Sequence, residues 1–377
     1  MEIDDLRAAV GVRFLELEHS HVGLKADLVA DFADLIDSNE YVNGRAVAEF
    51  ETAFASWCGA AHCVGLASGL DAVRFGLLAA GVGPGDEVVL PANTFIATAE
   101  AVTQAGAKPV LVDVLEDDLN IDPMAVEAAV GPKTRCLLPV HLYGQLADMR
   151  GLLRVAARHQ LKVVEDACQA HGARRDGIGA GRSGTAAAFS FYPGKNLGAM
   201  GDAGALVTSD EEVGAATRML REHGQSRKYH HAVVGYTARL DTIQALVLLR
   251  KLDRLDDWNE QRRSAAAFYN EALADVGDLR LPPVPEGSDP VWHLYVVRTR
   301  DPEALAAKLG SAGVGTGRHY PEPIHLSPAY AHLGYRRGAF PVTEALADEC
   351  LSLPIFPGIS EAQLEAVTGA VEAAFRG

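Results

Sequence analysis

Between residues 62 and 210 the chain alternates short runs rich in Val, Leu and Ala with stretches of helical spacing. No other feature limits the fold as strongly. The runs are "HCVGLA", "DEVVLP" (Asp86 to Pro91), "KPVLVDV" (Lys108 to Val114), "RCLLPVHL" (Arg135 to Leu142), "LKVVEDA" (Leu161 to Ala167), "AAAFSFY" and "GALVTS". Several are almost unbroken in apolar residues, which is how strands buried on both faces of a mostly parallel sheet read. Residues 70–80 and 148–159 carry the helical spacing between them. Repeated βα units predict a doubly wound α/β domain whose ligand sits beyond the carboxyl ends of the strands.

After about residue 238 the texture changes. "RLDTIQALVLLRKLDRLDDWNEQRRSAAAFYNEAL" predicts one long, kinked helix. A proline-rich linker follows, then the strand "VWHLYVVRT", a helix opened by "DPEALAAKLGSAG", a His- and Pro-rich loop and a closing helix. A chain of 377 residues exceeds one core of ordinary size. The expectation is a large domain over residues 1–240, including the N-terminal segment, and a smaller α+β domain over 241–377 that begins with the long linking helix.

The net charge is −16 with no basic tail, so nucleic acid is not an expected partner. The N-terminus shows no basic region followed by an apolar stretch, and no uncharged apolar run reaches membrane-spanning length. Five scattered cysteines without a C-x-x-C pair fit reduced thiols in a cytoplasmic protein and argue against a zinc site.

Lys195 stands out. The segment from Ala186 to Ser209 holds only two charged side chains, Lys195 and Asp202, and a lysine placed in an interior needs a reason. Asp166 follows the strand 162–165, where it either caps the next turn or faces a ligand. The Ser68–Gly69 turn opens a helix whose free N–H groups favour a phosphate. Ser190 can offer a hydroxyl to the same anion. Phe95 follows another strand end, as a core residue or a stacking surface. An anion seat, a flat aromatic, a carboxylate and an interior lysine together suit pyridoxal 5′-phosphate: the lysine binds it, and the aspartate keeps its ring nitrogen protonated.

In "SGLDA", "PGDEVVLPANTFIAT", "LLPVHLYGQLADM", "VVEDACQAHGA", "FSFYPGKNLGAMGDAG", "GYTARLDTIQA" and "FPVTEALADECLSLPIFPG" the chain resembles the DegT/DnrJ/EryC1/StrS family of PLP-dependent sugar aminotransferases over nearly its whole length. The resemblance implies an aspartate aminotransferase-like fold (PLP fold type I) and a homodimer with shared active sites. It implies that Lys195 binds the cofactor and shuttles the proton, Asp166 pairs with the ring nitrogen, Gln169 contacts the ring hydroxyl and Phe95 stacks on the ring. Ser68, Gly69 and Ser190 would hold the phosphate. The family position that reaches the phosphate from the partner subunit is usually asparagine and is Thr237 here, with a shorter reach. Family members with histidine in place of the lysine are dehydratases, so Lys195 implies a transaminase.

By the same resemblance the amino donor is L-glutamate or L-glutamine, and the acceptor a keto sugar on a nucleoside diphosphate, most like a dTDP-3-keto-6-deoxyhexose. Amination at C4 of such a sugar, or of a keto-inositol, is the alternative. Tyr192, Arg239, His319, Tyr320 and His325 would lie near the substrate. The segment "RMLREHGQSRKYHH", with Arg218, Arg221, Arg227 and Lys228, reads equally as a seat for a diphosphate or as a solvated loop. One cofactor serving two substrates in turn implies ping-pong chemistry.

Two other classes stay open at this point. A PLP-binding regulatory protein without turnover would share the fold. A nicotinamide oxidoreductase would rest on Gly179, Gly181 and Gly184 in "GIGAGRSG". That motif follows a polar turn and leads into a strand, so it reads as a loop. "PGKN" lacks the Ser or Thr and the leading Gly of a phosphate loop. His230, His231, His319 and His325 lack metal-ligand spacing.

Overall fold

All seven runs form strands of one sheet in the computed structural model, which describes residues 11–376. The first ten residues, included in the expected large domain, lie outside the described residues. The strands are β1 (His62–Leu66), β2 (Glu87–Pro91), β3 (Lys108–Val112), β4 (Thr134–Leu137), β5 (Lys162–Asp166), β6 (Ala186–Ser190) and β7 (Gly204–Thr208), in the spatial order β1-β7-β6-β5-β4-β2-β3. Only β7 runs against its neighbours; the other pairings in the sheet are parallel. That exception has a consequence. An antiparallel β7 makes the chain reverse at the carboxyl end of β6, so the connection carrying Lys195 stays at the ligand edge and does not cross over a face.

β4 is shorter than the run Arg135 to Leu142 suggests. It ends at Leu137, and beyond it only Val140 keeps an isolated bridge, to Asp166. Pro139 has no N–H to continue the ladder, and the chain turns into a 3-10 segment at Leu142–Gly144.

Helices α1 (Lys25–Ser38), α2 (Arg45–Cys58), α3 (Gly69–Ala79), α4 (Ile96–Gln104), α5 (Pro123–Ala129), α6 (Met149–His159) and α7 (Glu211–Arg221) accompany the sheet. Its interior is apolar on both faces: Val64, Leu90 and Leu206 pack in one cluster, and Ala187, Phe189 and Val207 in another. Each such valine, leucine or phenylalanine side chain contributes roughly 1.5–3 kcal/mol on burial. Asp148 caps α6 by accepting from Gly151 N at 2.9 Å.

The expected long helix is two, α8 (Thr242–Leu252) and α9 (Leu255–Ala272), broken at Asp253–Arg254. Ala245 and Leu248 of α8 share the core of α2 and the sheet. Ala265, Ala266 and Tyr269 of α9 share a separate core with a two-stranded ribbon. The ribbon pairs β8 (Tyr295–Arg298) with β9 (Cys350–Leu353) and is flanked by α10 (Pro302–Ser311), α11 (Pro341–Glu349) and α12 (Glu361–Arg376). By packing, we propose that the division between the two bodies falls at the α8–α9 break. The N-terminal segment ties them together: Val12 bridges to Val314, and Leu24 packs with Val247.

Lys251 on α8 holds the connection between β6 and β7. It is 1% exposed and donates from Nζ to the Gly198 carbonyl at 2.8 Å. Burial pushes its pKa down from 10.5 to about 8. The folded protein therefore releases this proton at about pH 8 and the unfolded chain near 10.5. Across that window the unfolded chain binds more protons, and stability rises with pH by up to ~3 kcal/mol. Lys251→Met is expected to lack this rise. Urea unfolding of both proteins at pH 7.5, 9 and 10 tests it, because buried tyrosines affect both alike and cancel in the difference.

Candidate active site

The ends of β1, β5 and β6 open onto a cavity of about 590 Å³. Ser68 lies just beyond β1 and is the cap of α3: its Oγ accepts from Asp71 N at 3.1 Å. The first amides of α3 have no helical acceptor and face the cavity end of the strand. Gly69 is required here. A Cβ would stand 2.5 Å from Ser190 Cβ and 2.9 Å from Cys168 Sγ. The Ser68 and Ser190 hydroxyls and the first amides of α3 thus lie together at this end of the cavity. Gly69→Ala is expected to weaken cofactor binding by about 10- to 100-fold while costing ~1–3 kcal/mol of stability. Titration of the cofactor-free protein, followed by absorbance, measures the first.

Asp166 ends β5 and is 6% exposed. Its carboxylate caps the next turn and lines the cavity. Oδ1 accepts from Cys168 N at 3.2 Å, which caps the turn, and Oδ2 accepts from Thr98 Oγ1 at 2.8 Å. Thr94 Oγ1 lies 2.9 Å from Thr98 Oγ1 and extends the chain. Gln169 accepts at Oε1 from Tyr143 N (2.8 Å) and donates from Nε2 to Tyr320 Oη (3.0 Å). The backbone donor fixes which way this amide points. Phe95 precedes α4 with 51% of its surface exposed, which removes the core-packing alternative. Its ring lies 5.5 Å from that of Tyr320.

Lys195 lines the cavity together with Ser68, Gly69, Asp166, Gln169 and Ser190. Its amide donates to Tyr192 O at 2.8 Å, and the turn closes so tightly that a Cβ on Gly198 would meet Pro193 O at 2.3 Å. Burial lowers the Lys195 pKa; Cys168 and Asp166 oppose that shift. The lysine thus has more neutral amine at physiological pH than an exposed one.

The remaining predicted residues divide. Tyr192, His319 and Tyr320 line the cavity. Burial, with a smaller contribution from Lys195, pushes the His319 pKa down to about 4, so this ring is neutral. His325 does not reach the cavity, which corrects the expectation that it lies near the substrate. It is 2% exposed, pairs through Nε2 with Glu344 at 2.9 Å and packs edge-on against Phe340. Arg239 is likewise outside the cavity of its own chain, held by Glu222 at 2.8 Å. Thr237 is exposed beside His223 and is not among the described residues that line this cavity.

The basic segment is half committed. Arg218 and Arg221 both pair with the buried Glu51, at 2.6 and 2.5 Å. Arg227 and Lys228 stay exposed around the small ribbon 225–231. The glycine motif begins in a two-residue strand, Ile178–Gly179, and continues as a loop. The Gly181, Ser183 and Gly184 amides close on the buried Glu165 carboxylate at 2.9, 3.2 and 2.6 Å, and His141 adds a fourth bond. Burial alone would raise the Glu165 pKa; these bonds outweigh it and hold the pKa low. A glycine nest here binds the protein's own anion, not a dinucleotide.

Sequence reasoning missed Thr98, His293 and the N-terminal residues Phe14 and Leu15, all of which touch the cavity. Thr98 stands one helical turn after Thr94, a spacing that could have marked it. Phe14 and Leu15 come from far away in sequence and carry no local signal. Among the described residues no His, Cys, Asp and Glu group could hold a metal, and no helix is long and apolar enough to cross a membrane. All five cysteines are free.

Comparison with known proteins identifies the family. The sequence matches the DegT/DnrJ/EryC1/StrS aminotransferase family over residues 23–372. It is 47% identical to a dTDP-3-amino-3,4,6-trideoxy-alpha-D-glucose transaminase of Streptomyces venezuelae, across 96% of this chain and 95% of that one. It is also 47% identical to the erythromycin biosynthesis sensory transduction protein EryC1 of Saccharopolyspora erythraea, across 96% and 99%. The fold superposes on the crystal structure of S. venezuelae DesV in complex with a ketimine intermediate with a TM-score of 0.94, at 46% identity over 96% of this chain and 98% of that one.

Proposed function

The chain belongs to the DegT/DnrJ/EryC1/StrS aminotransferase family, and from that premise we propose that it transfers an amino group from L-glutamate or L-glutamine to C3 of a dTDP-linked 3-keto-6-deoxyhexose. It is a transaminase acting on sugars, and its cofactor is pyridoxal 5′-phosphate. The observation that carries the reading is the placement of Lys195 and Asp166 in one cavity beside Ser68, Gly69 and Ser190.

When bound, the cofactor ring supplies a sink for the electrons of the C–H bond broken at the amino-bearing carbon. The chain does the rest. Ser68, Ser190 and the α3 amides seat the phosphate. Asp166 holds a proton at the ring nitrogen, and Thr98 keeps that carboxylate in place. Gln169, oriented by Tyr143, meets the ring hydroxyl. Phe95 covers the ring. Lys195 takes and returns the proton as a general base and acid. The donor product leaves before the keto sugar enters, so each half-reaction uses the same lysine.

Among the described residues that line the cavity Lys195 is the only Lys or Arg, and the lining also includes the carboxylates Glu100, Asp166 and Asp202. A nucleoside diphosphate needs more positive charge than that. In our reading a second copy brings Arg227, Lys228 and Thr237 to the site of its partner, in a cytoplasmic homodimer. The curated relative named as a sensory transduction protein favours a regulatory reading as the alternative. Incubation with glutamate or glutamine and a panel of dTDP- and UDP-linked 3-keto and 4-keto sugars, read by mass spectrometry, separates these. The proposal requires a dTDP-3-amino sugar as the preferred product. Preference for a 4-keto sugar moves the site of amination, and no product with any of them leaves the regulatory reading.

A further inference from the structure

Phe14 and Leu15 line the cavity although they come long before the first strand of the sheet. Their segment is held at both ends. On the smaller body, Val12 N donates to Gly313 O at 2.9 Å and Gly315 N donates to Val12 O at 2.8 Å, a parallel bridge to Val314. Farther along, Gln363 of α12 donates from Nε2 to Glu16 at 3.2 Å, and the His19 ring stacks on Phe356 with centroids 5.8 Å apart. On the larger body, Leu24 and Leu28 pack with Val247 of α8. The segment thus crosses from one body to the other, and Phe14 and Leu15 meet the cavity on the way.

Close approach fixes these two side chains. A Cβ on Gly315 would stand 2.7 Å from Phe14 N, and one on Gly317 would stand 3.3 Å from Phe14 Cζ. Glycine at both positions lets the segment lie directly on the smaller body. The Phe14 ring stacks on His319, with centroids 5.5 Å apart and planes at 20°. Leu15 Cδ2 lies 3.2 Å from where a Cβ on Gly194 would be, in the turn that carries Lys195. The pair therefore runs from His319 to the turn of the lysine.

The chemistry of this wall is one-sided. The residues that would seat the cofactor are polar. In the part of the lining that comes from the segment and the smaller body, Phe14, Leu15, Leu294 and Ile355 are apolar. They offer a sugar hydroxyl neither donor nor acceptor, and a hydroxyl pressed against them would lose its water without gaining a partner. A carbon that bears no oxygen meets no such cost. We propose that Phe14 and Leu15 are specificity-determining residues: they form the apolar wall that receives the deoxygenated C6 of the keto sugar and disfavours a hydroxyl there. The inference rests on the reading of the acceptor as a nucleotide-linked 6-deoxyhexose. A carboxylate at the same carbon fares worse still, because among the described residues the cavity lining holds no Lys or Arg besides Lys195.

Two unreactive analogues, dTDP-glucose and dTDP-6-deoxyglucose, test the wall without any chemical step. They differ only in the oxygen at C6. Each is titrated by calorimetry into the protein loaded with pyridoxamine phosphate. The wild type is expected to bind the 6-deoxy analogue about 10- to 100-fold more tightly, the discrimination an apolar pocket achieves against an added hydroxyl. In Leu15→Ala and Phe14→Ala the ratio of the two affinities should fall by about 10-fold. Phe14→Leu keeps an apolar wall and should retain most of the ratio. Gly315→Ala pushes on Phe14 N from outside the cavity and should lower the ratio as well. A wild-type ratio near one, or a ratio unmoved in the folded Leu15→Ala and Phe14→Ala variants, overturns the inference. If neither analogue binds the wild type, the nucleotide-sugar reading itself fails, and the inference with it.

Discussion

Lys195→Ala is expected to lower kcat for transamination by ~10⁴-fold or more, because one side chain both binds the cofactor and moves the proton in each half-reaction. The loss should be chemical and not structural. The turn is held from below by Lys251 on Gly198 and by Asn196 on Asn259 and Val291, none of which involves the lysine side chain. Removing a desolvated amine also relieves a cost of burial, so the melting temperature should stay equal or rise. Lys195→Arg is the sharper variant. It keeps length and charge, but a guanidinium does not release its proton at neutral pH, so it should be as inactive as alanine. Both follow from 2-oxoglutarate release in a single turnover with L-glutamate. A variant that kept even a tenth of the wild-type rate would exclude Lys195 from the chemistry.

Asp166→Asn is expected to cost roughly 10²- to 10³-fold in kcat, with stability changed by less than ~1.5 kcal/mol. An adjacent carboxylate raises the proton affinity of a base by one to three pH units, and each unit is a factor of ten in the protonated fraction when protonation is unfavourable. The amide keeps the shape of the carboxylate. It can still accept from Cys168 N, and the Thr98 hydroxyl can rotate to accept where it now donates. The fold should therefore tolerate the change while the ring nitrogen loses its counter-charge. Asp166→Glu retains the charge but pushes it one methylene into the cavity, and partial activity is expected. Steady-state kcat, with urea unfolding alongside, separates the electrostatic loss from a structural one.

The sheet was legible because its strands are buried on both faces. Val88, Val89 and Leu90 are wholly buried and leave an unbroken apolar signature. The strand that misread its length did so at Pro139, where an apolar run continued past the last backbone donor the ladder could use. The break at Asp253–Arg254 was hidden for a related reason. The helical period persists through "LDRLDD", and only packing on two different cores separates α8 from α9. In the site, Lys195, Asp166, Ser68 and Ser190 could be read because local strand-end and turn positions define them. Phe95 kept two readings until its exposure removed core packing, whereas Asp166 both caps its turn and lines the cavity. His325 and the Arg218–Arg221 pair show the converse. A polar residue in a suggestive loop was satisfied by a buried carboxylate far away in sequence, Glu344 or Glu51.

The visible absorption spectrum of the purified protein loaded with pyridoxal phosphate, before and after L-glutamate, tests the central claim most directly. The account predicts a band of lysine-bound cofactor that gives way to the pyridoxamine form when the amino donor is added. It predicts that Lys195→Ala lacks this band although Ser68, Gly69 and Ser190 are intact. A band that persists unchanged in Lys195→Ala, or no band in the wild type at saturating cofactor, would contradict the assignment of this cavity as a transaminase site.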